Sequence, residues 1–341
     1  MGFDPSTVVT DYGDPIGEAR ACRTATALFD FSFMSRAKIE GAGAIAALSR
    51  LTPRRLADLP VGRIRYAMRE AADGYLASDL TIWRIGPDHW EVMSGRAVDI
   101  ADLARFACEV GHARVDDLTS ATRIFAVQGP ETLDLLRAMV RPDEVGSLLA
   151  LPYYGTVDLV LAGTHVRVGR LGYTGEQGVE LLVPERHAEA IWTKLVAGSR
   201  QAGFIAADML RIEAGFVLFA NDFLLPVTAR EAGLGQFCAA DTGRPNKDEL
   251  ELVCFRAASH GDVSMFRPDW HLCRHAEPDV LAVTSACYSL AAGSVLGLGY
   301  AWRFRPRAMP LRDPTGMFSR IEVVSRPFYD PTKTRPRMPW C

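Results

Sequence analysis

Apolar and polar residues alternate over short stretches through most of this chain, which is the period of half-buried strands. Strands are predicted at residues 80–84 and 90–93, set off by the turn signals Asp73-Gly74 and Gly86-Pro87-Asp88. A second pair is predicted at 157–161 and 166–170 around Gly163-Thr164. Helical spacing takes over at 97–110 and again at 185–202. Two segments repeat this grammar 88 residues apart, since Ile39 falls on Val127 and Leu51 on Met139. Each is a strand end, a glycine break and an apolar helical run, and each is followed by hairpin signals and then a longer helix. The fold class expected is therefore α+β with a duplicated module.

After about residue 240 helical periodicity fades, and short apolar, turn-rich segments suggest a separate small β-barrel or sandwich. The boundaries read from these changes are an N-terminal extension at 1–19, modules at 20–112 and 113–235, a β-barrel at 236–330 and a tail at 331–341. The uncharged run 280–302 is long enough to span a membrane. Thr284, Ser285, Ser289, Gly293 and Ser294 interrupt it too often, and two buried strands joined by a turn are expected instead. The basic, proline-interrupted stretch from Lys333 to Arg337 reads as a frayed terminus.

Composition narrows the function classes. The 341 residues carry 38 basic and 41 acidic side chains, a net charge of −3, so neither nucleic acid nor membrane is attracted in bulk. Seven scattered cysteines form no disulfide framework, which fits a reducing, cytoplasmic compartment.

The densest chemistry lies in Gly172-Tyr-Thr-Gly-Glu-Gln-Gly-Val-Glu180, with three glycines and two carboxylates in nine residues. Such a strand–turn–strand unit is either a plain turn or a surface that lays backbone and a fixed carboxylate against a flat ligand. Asp79, at the edge of an apolar strand, is either a turn cap or a general acid–base. Gly41-x-Gly43-x-x-Ala46 looks like a dinucleotide fingerprint but lacks a parallel βαβ setting. His271, Cys273 and His275 are of types that suit zinc, in a spacing that matches no standard site, and a polar loop is the competing reading. Arg211 and Glu213 cannot meet on one helical face, so each is expected to pair elsewhere.

In order, these pieces resemble the glycine-cleavage T-protein (aminomethyltransferase) family of tetrahydrofolate-dependent proteins. The resemblance runs through Leu28 to Ser32, Gly62 to Tyr66, Asp73-Gly74 to Leu80, Gln128-Gly129-Pro130, Gly172 to Glu180 and Leu210 to Gly215. Asn221-Asp222, Glu231 to Gly235, Thr284-Ser285 and Pro327 to Asp330 extend it to the C-terminus. It implies a three-domain cloverleaf: two folate-binding α+β modules and a C-terminal β-barrel. It also implies a pterin-binding carboxylate at Glu180 and a catalytic one at Asp79. Met34, Tyr173, Gly172 and Ser94 fall where the family contacts tetrahydrofolate. No metal is implied.

The chain departs from the family pattern as well. A folate-contacting arginine falls on Ala207, a pocket asparagine on Gly95 and a histidine on Phe33. These departures point to a divergent member, in which a methyl or methylene group moves between a small-molecule donor and N5 of tetrahydrofolate, as in a demethylase or methyltransferase. The alternatives are an aminomethyltransferase of a glycine-cleavage-like system, which would need a carrier protein, and a non-catalytic folate-binding or regulatory protein.

Overall fold

The structure is a computed structural model that describes residues 7–238, 248–268, 274 and 277–340. It divides into two compact units: Met1–Ala67 with Asp79–Ala207 and Lys333–Cys341, and Met68–Ser78 with Asp208–Thr332.

The chain enters through helix α1 (Pro15–Thr24), whose Asp14 cap accepts the Gly17 N–H and whose first position is proline. Strands β1 (Ala27–Asp30) and β2 (Ser35–Glu40), helix α2 (Ala44–Leu51) and strands β3 (Arg63–Glu70), β4 (Leu76–Gly86) and β5 (His89–Ser94) follow. Helix α3 (Ala97–Val110) buries Ile100, Leu103, Phe106 and Ala107, the spacing of one helical face. It ends where Gly111 takes φ +75°. Strands β6 (Arg114–Asp117) and β7 (Thr122–Gln128) and helices α4 (Thr132–Arg137) and α5 (Val145–Leu149) come next. The hairpin β8 (Thr156–Leu161) and β9 (Thr164–Gly169), then β10 (Gly178–Pro184), α6 (Ala188–Val196) and β11 (Arg200–Gln201) complete the series.

These strands make two sheets. The first is ordered β3-β4-β5-β2-β6 and the second β11-β1-β7-β10-β9-β8. The repeat read from sequence keeps its register: β2 ends at Glu40 and β7 at Gln128, while α2 starts at Ala44 and α4 at Thr132, both 88 residues apart. Two strands depart from chain order: β1 pairs with β7 of the second sheet, and β6 pairs with β2 at the edge of the first. Helices α2 and α3 contribute to the apolar core of the first sheet, and α4 and α6 to that of the second.

Helix α7 (Phe204–Glu213) starts in the first unit and ends in the second, where α8 (Phe219–Asp222) follows. Strands β12 (Leu250–Ser259), β13 (Leu281–Ser289), β14 (Ser294–Trp302) and β15 (Phe318–Val324) form an antiparallel sheet in the order β13-β14-β12-β15. Among the described residues no pairing of the outer strands β13 and β15 closes this sheet into the expected barrel. The run 280–302 is indeed two buried strands joined by a turn at Gly293, and no described helix is long and apolar enough to cross a membrane.

Arg211 and Glu213 part as expected. Arg211 is fully buried and donates to Asp208, Asp222 and Ser285, whereas Glu213 accepts from Ser289 and the Ala291 N–H. The five described cysteines form no disulfide with one another. His271, Cys273 and His275 lie outside the described residues.

The tail differs from the frayed end predicted. Trp340 is buried in the core of the second sheet, and the Arg170 guanidinium sits 4.5 Å from its ring centroid while donating to the Met338 carbonyl. Burial of the large indole, together with the Arg170 contacts, opposes the chain entropy lost in ordering this segment.

Candidate functional site

Strand alternation places the two candidate acids. On β10, Val179, Leu181 and Val183 point into the core of the second sheet, which turns Glu180 to the opposite face. On β4, Leu80 and Ile82 point into the core of the first sheet, so Asp79, Thr81 and Trp83 face the other way. These two outward faces meet. Arg167 of β9 pairs with the buried Glu91 of β5, and Gly169 lies so close under Trp83 that a Cβ there would come within 2.1 Å of the indole. Asp79 and Glu180 therefore both project into the space between the sheets.

Tyrosines connect them. The Tyr66 hydroxyl donates to Asp79 Oδ2 at 2.8 Å. Burial, then the Asp79 charge, pushes the Tyr66 phenol well above its ordinary range, so it stays a protonated donor. Tyr173 also lies near enough to act on Tyr66. The Tyr154 phenol is raised by burial first and then by Tyr153, Glu180 and Asp79, which places it beside both acids. Its backbone holds φ +59°, an uncommon setting for an aromatic residue. Its N–H and C=O fix it to Arg170 and Ile64, so the surrounding chain enforces that geometry. Neighbouring Tyr153 packs edge-on against it, with ring centroids 4.9 Å apart.

The two glutamates of the glycine-rich loop do different work. Glu176 is 3 % exposed and forms ion pairs with Arg23 at 3.2 Å and Arg335 at 3.5 Å. Glu180 is 7 % exposed, and its carboxylate takes no hydrogen bond or ion pair from any described residue. Burial alone pushes its carboxyl up to about 7. A carboxylate removed from water without a donor is costly, and such groups concentrate at functional sites.

That shift has a measurable consequence. The folded state holds the Glu180 proton more tightly than the unfolded chain does. Its contribution to stability is full below pH 4.5 and is lost as pH rises through about 7. The interval of 2.5 units corresponds to about 3 kcal/mol as an upper bound. Urea midpoints of the ligand-free protein between about pH 5 and 8 should therefore fall less steeply in Glu180→Gln than in the wild type.

The other expected residues are placed as follows. Tyr173 joins the Tyr66 group and also meets Phe31 edge-on at 6.5 Å. Gly172 lies against the side chain of Gln128. Met34 sits half-buried in the turn between β1 and β2, where its carbonyl accepts from buried Arg36, and no described contact joins it to either acid. Ser94 is placed differently from the pocket position expected. It shares the parity of Trp90 and Val92, so it faces α3, where its hydroxyl donates to Asp99 and accepts the Arg96 N–H. Of the departures, Ala207 is fully buried and Phe33 packs against Phe31 and Phe204.

Tyr66 and Arg337 end stretches named in the sequence without a site role, and Tyr153 and Tyr154 lie outside those stretches; the Arg337 charge acts on both tyrosines of the doublet. The doublet after Pro152 was the available signal. Nothing in the pattern tied the distant Arg337 to it.

Comparison with known proteins matches residues 12–242 to the GCVT N-terminal domain. The chain belongs to the GCVT family. Relatives include the aminomethyltransferase of Streptomyces avermitilis, 30 % identical over 93 % of this chain and 90 % of that protein. The corresponding protein of Saccharopolyspora erythraea is 29 % identical with the same coverage. The probable aminomethyltransferase of Natronomonas pharaonis is 32 % identical over 83 % of this chain and 81 % of that protein. The crystal structure of the glycine cleavage system aminomethyltransferase T from Bartonella henselae superposes with a TM-score of 0.74 at 22 % identity. It covers 93 % of this chain and 90 % of that one, and it supports the shared fold.

Aminomethyltransferases of this family use tetrahydrofolate. The residues present suit that group: a buried carboxylate with no donor among the described residues matches an N–H-bearing ring edge, and the tyrosines beside it offer flat apolar walls.

Proposed function

We propose that this chain is a tetrahydrofolate-dependent aminomethyltransferase that receives its one-carbon unit from a lipoyl-bearing carrier protein. The observation that carries the reading is the pairing of two unlike carboxylates in one space. Glu180 is buried and takes no donor from the described residues, while Asp79 is held by the Tyr66 hydroxyl. Glu180 would accept two N–H bonds from the pterin, and that hydrogen bonding favours its ionised form. Tyr154 and Tyr173 would wall the ring.

Bound tetrahydrofolate supplies N5, the nitrogen that takes up the carbon. Asp79 would accept the proton released at that nitrogen and return it to the departing amine, which leaves only when protonated. Tyr66 keeps the carboxylate turned toward this task by fixing Oδ2. The products would be a methylene group bridging N5 and N10 of folate, ammonia, which leaves with the N5 proton, and the free dithiol of the carrier, whose sulfur takes the N10 proton as its bond to the carbon breaks.

Transfer of a methyl group from a small donor is the second reading, motivated by the buried Ala207 and the aromatic packing of Phe33. The names of the relatives support aminomethyl transfer over it. Mass spectrometry of folate products separates the two. Protein and tetrahydrofolate mixed with an aminomethylated lipoyl carrier should yield 5,10-methylenetetrahydrofolate and equimolar ammonia. Product only from small N-, O- or S-methyl donors would replace the reading with the second one.

A further inference from the structure

Gln128 is fully buried at the end of β7, with Gly178 as its partner on β10 and Ala27 on β1. Its side-chain amide is the centre of the glycine-rich loop. Nε2 donates to the Leu171 carbonyl and the Val179 carbonyl, both at 3.1 Å, and Oε1 accepts the Thr174 hydroxyl at 3.0 Å. Two carbonyl partners require the NH2 on that side, so the orientation of the amide is fixed by its partners.

The loop is shaped to admit this amide. A Cβ at Gly172 would lie 1.8 Å from Gln128 Oε1, and one at Gly178 would lie 2.5 Å from Nε2. Gly172 is thus a glycine because of space, not because of its dihedral angles. The next residue, Gly129, holds φ +134°, donates to the Gln177 carbonyl and passes 2.3 Å, at its would-be Cβ, from the Ala25 carbonyl. From the other side, Arg23 donates to the Thr174 carbonyl and pairs with Glu176.

We infer that Gln128 is the positioning residue for the folate site: its amide clasps residues 171–179 and so sets Tyr173 within the clasp and Glu180 directly after it. The inference rests on the tetrahydrofolate reading above. One side chain holds the loop at its beginning, at its middle and immediately before Glu180. A fully satisfied buried amide of this kind specifies one loop conformation. The motifs Gln128-Gly129-Pro130 and Gly172 to Glu180 are then one device, 44 residues apart in sequence and in contact in the fold.

The test compares tetrahydrofolate affinity by calorimetry in the wild type, Gln128→Met, Gln128→Glu and Leu159→Ala. Leu159 is a core residue on β8 that serves as a stability control. Gln128→Met keeps the volume and removes three hydrogen bonds, so Kd should weaken by roughly ten- to a hundredfold. Leu159→Ala should lower Tm and leave Kd within about twofold. Gln128→Glu carries the test if the methionine variant fails to fold. Its carboxylate would face two carbonyls, so its affinity should decline as pH rises, opposite to the wild type.

The pair Gly172→Ala and Gln128→Ala gives a second readout. Gly172→Ala alone should weaken binding through its collision with Oε1, and adding Gln128→Ala should recover part of the loss. Affinity within twofold of the wild type in the Gln128 variants, or strictly additive losses in the pair, would overturn the inference. Failure of the wild type itself to bind tetrahydrofolate would instead strike the proposed function.

Discussion

Asp79→Asn should lower the rate of one-carbon transfer by roughly 10²–10⁴-fold while leaving tetrahydrofolate affinity within about threefold. Asparagine keeps an oxygen that can accept the Tyr66 hydroxyl, so the local geometry at 2.8 Å survives. It cannot accept a proton, so the amine is left without its proton donor and departs slowly. Tyr66→Phe should have a smaller effect, because it frees the orientation of Asp79 without removing its basicity. Single-turnover kinetics followed by mass spectrometry checks both variants. An Asp79→Asn enzyme as fast as the wild type would remove Asp79 from the chemistry.

Glu180→Ala should weaken tetrahydrofolate binding by roughly a hundred- to ten-thousandfold. Two hydrogen bonds to a charged acceptor, each about 1.5–3 kcal/mol, set that range. The same substitution should not unfold the protein, because the carboxylate bonds to no described residue and its burial alone raises its proton affinity. A residue whose removal eases the ligand-free state and destroys binding marks the usual conflict between stability and function. Glu176→Ala should behave in the opposite way. It breaks the pairs with Arg23 and Arg335, costs stability and affects binding only through the loop. Thermal melts alongside calorimetry distinguish the two glutamates.

Much of this site was legible from residue pattern. Alternation located β4, β5, β8 and β9, and helical spacing gave α3 at its observed bounds. The repeat of 88 residues survives as matched ends of β2 and β7. Those are local signals, and local geometry obeys them. What alternation could not supply was pairing between distant segments. Strand β1 crosses into the second sheet because its edge pairs with β7, a contact almost 100 residues away that leaves no periodic trace.

The site shows the same division. Glu180 and Tyr173 stood out because glycines and carboxylates crowd one loop. Tyr66 and Tyr154 did not, since a tyrosine in a strand or turn has the same composition whether it packs or binds. Ser94 misled for a physical reason: one step of parity along β5 turns it to the helix side, where capping α3 takes its hydroxyl. The tail was read from its charges and prolines, while Trp340 near its end decided its fate.

Glu180 should meet tetrahydrofolate as a carboxylate. At about pH 6 the ligand-free side chain is mostly protonated, because burial holds it near 7. Pairing with N–H donors then requires its ionisation. Calorimetric titration of tetrahydrofolate at that pH, in two buffers of different ionisation enthalpy, counts the protons exchanged. Wild type should release close to one more proton per ligand bound than Glu180→Gln does. Equal proton release in the two proteins, or no binding by the wild type at millimolar tetrahydrofolate, would contradict the account.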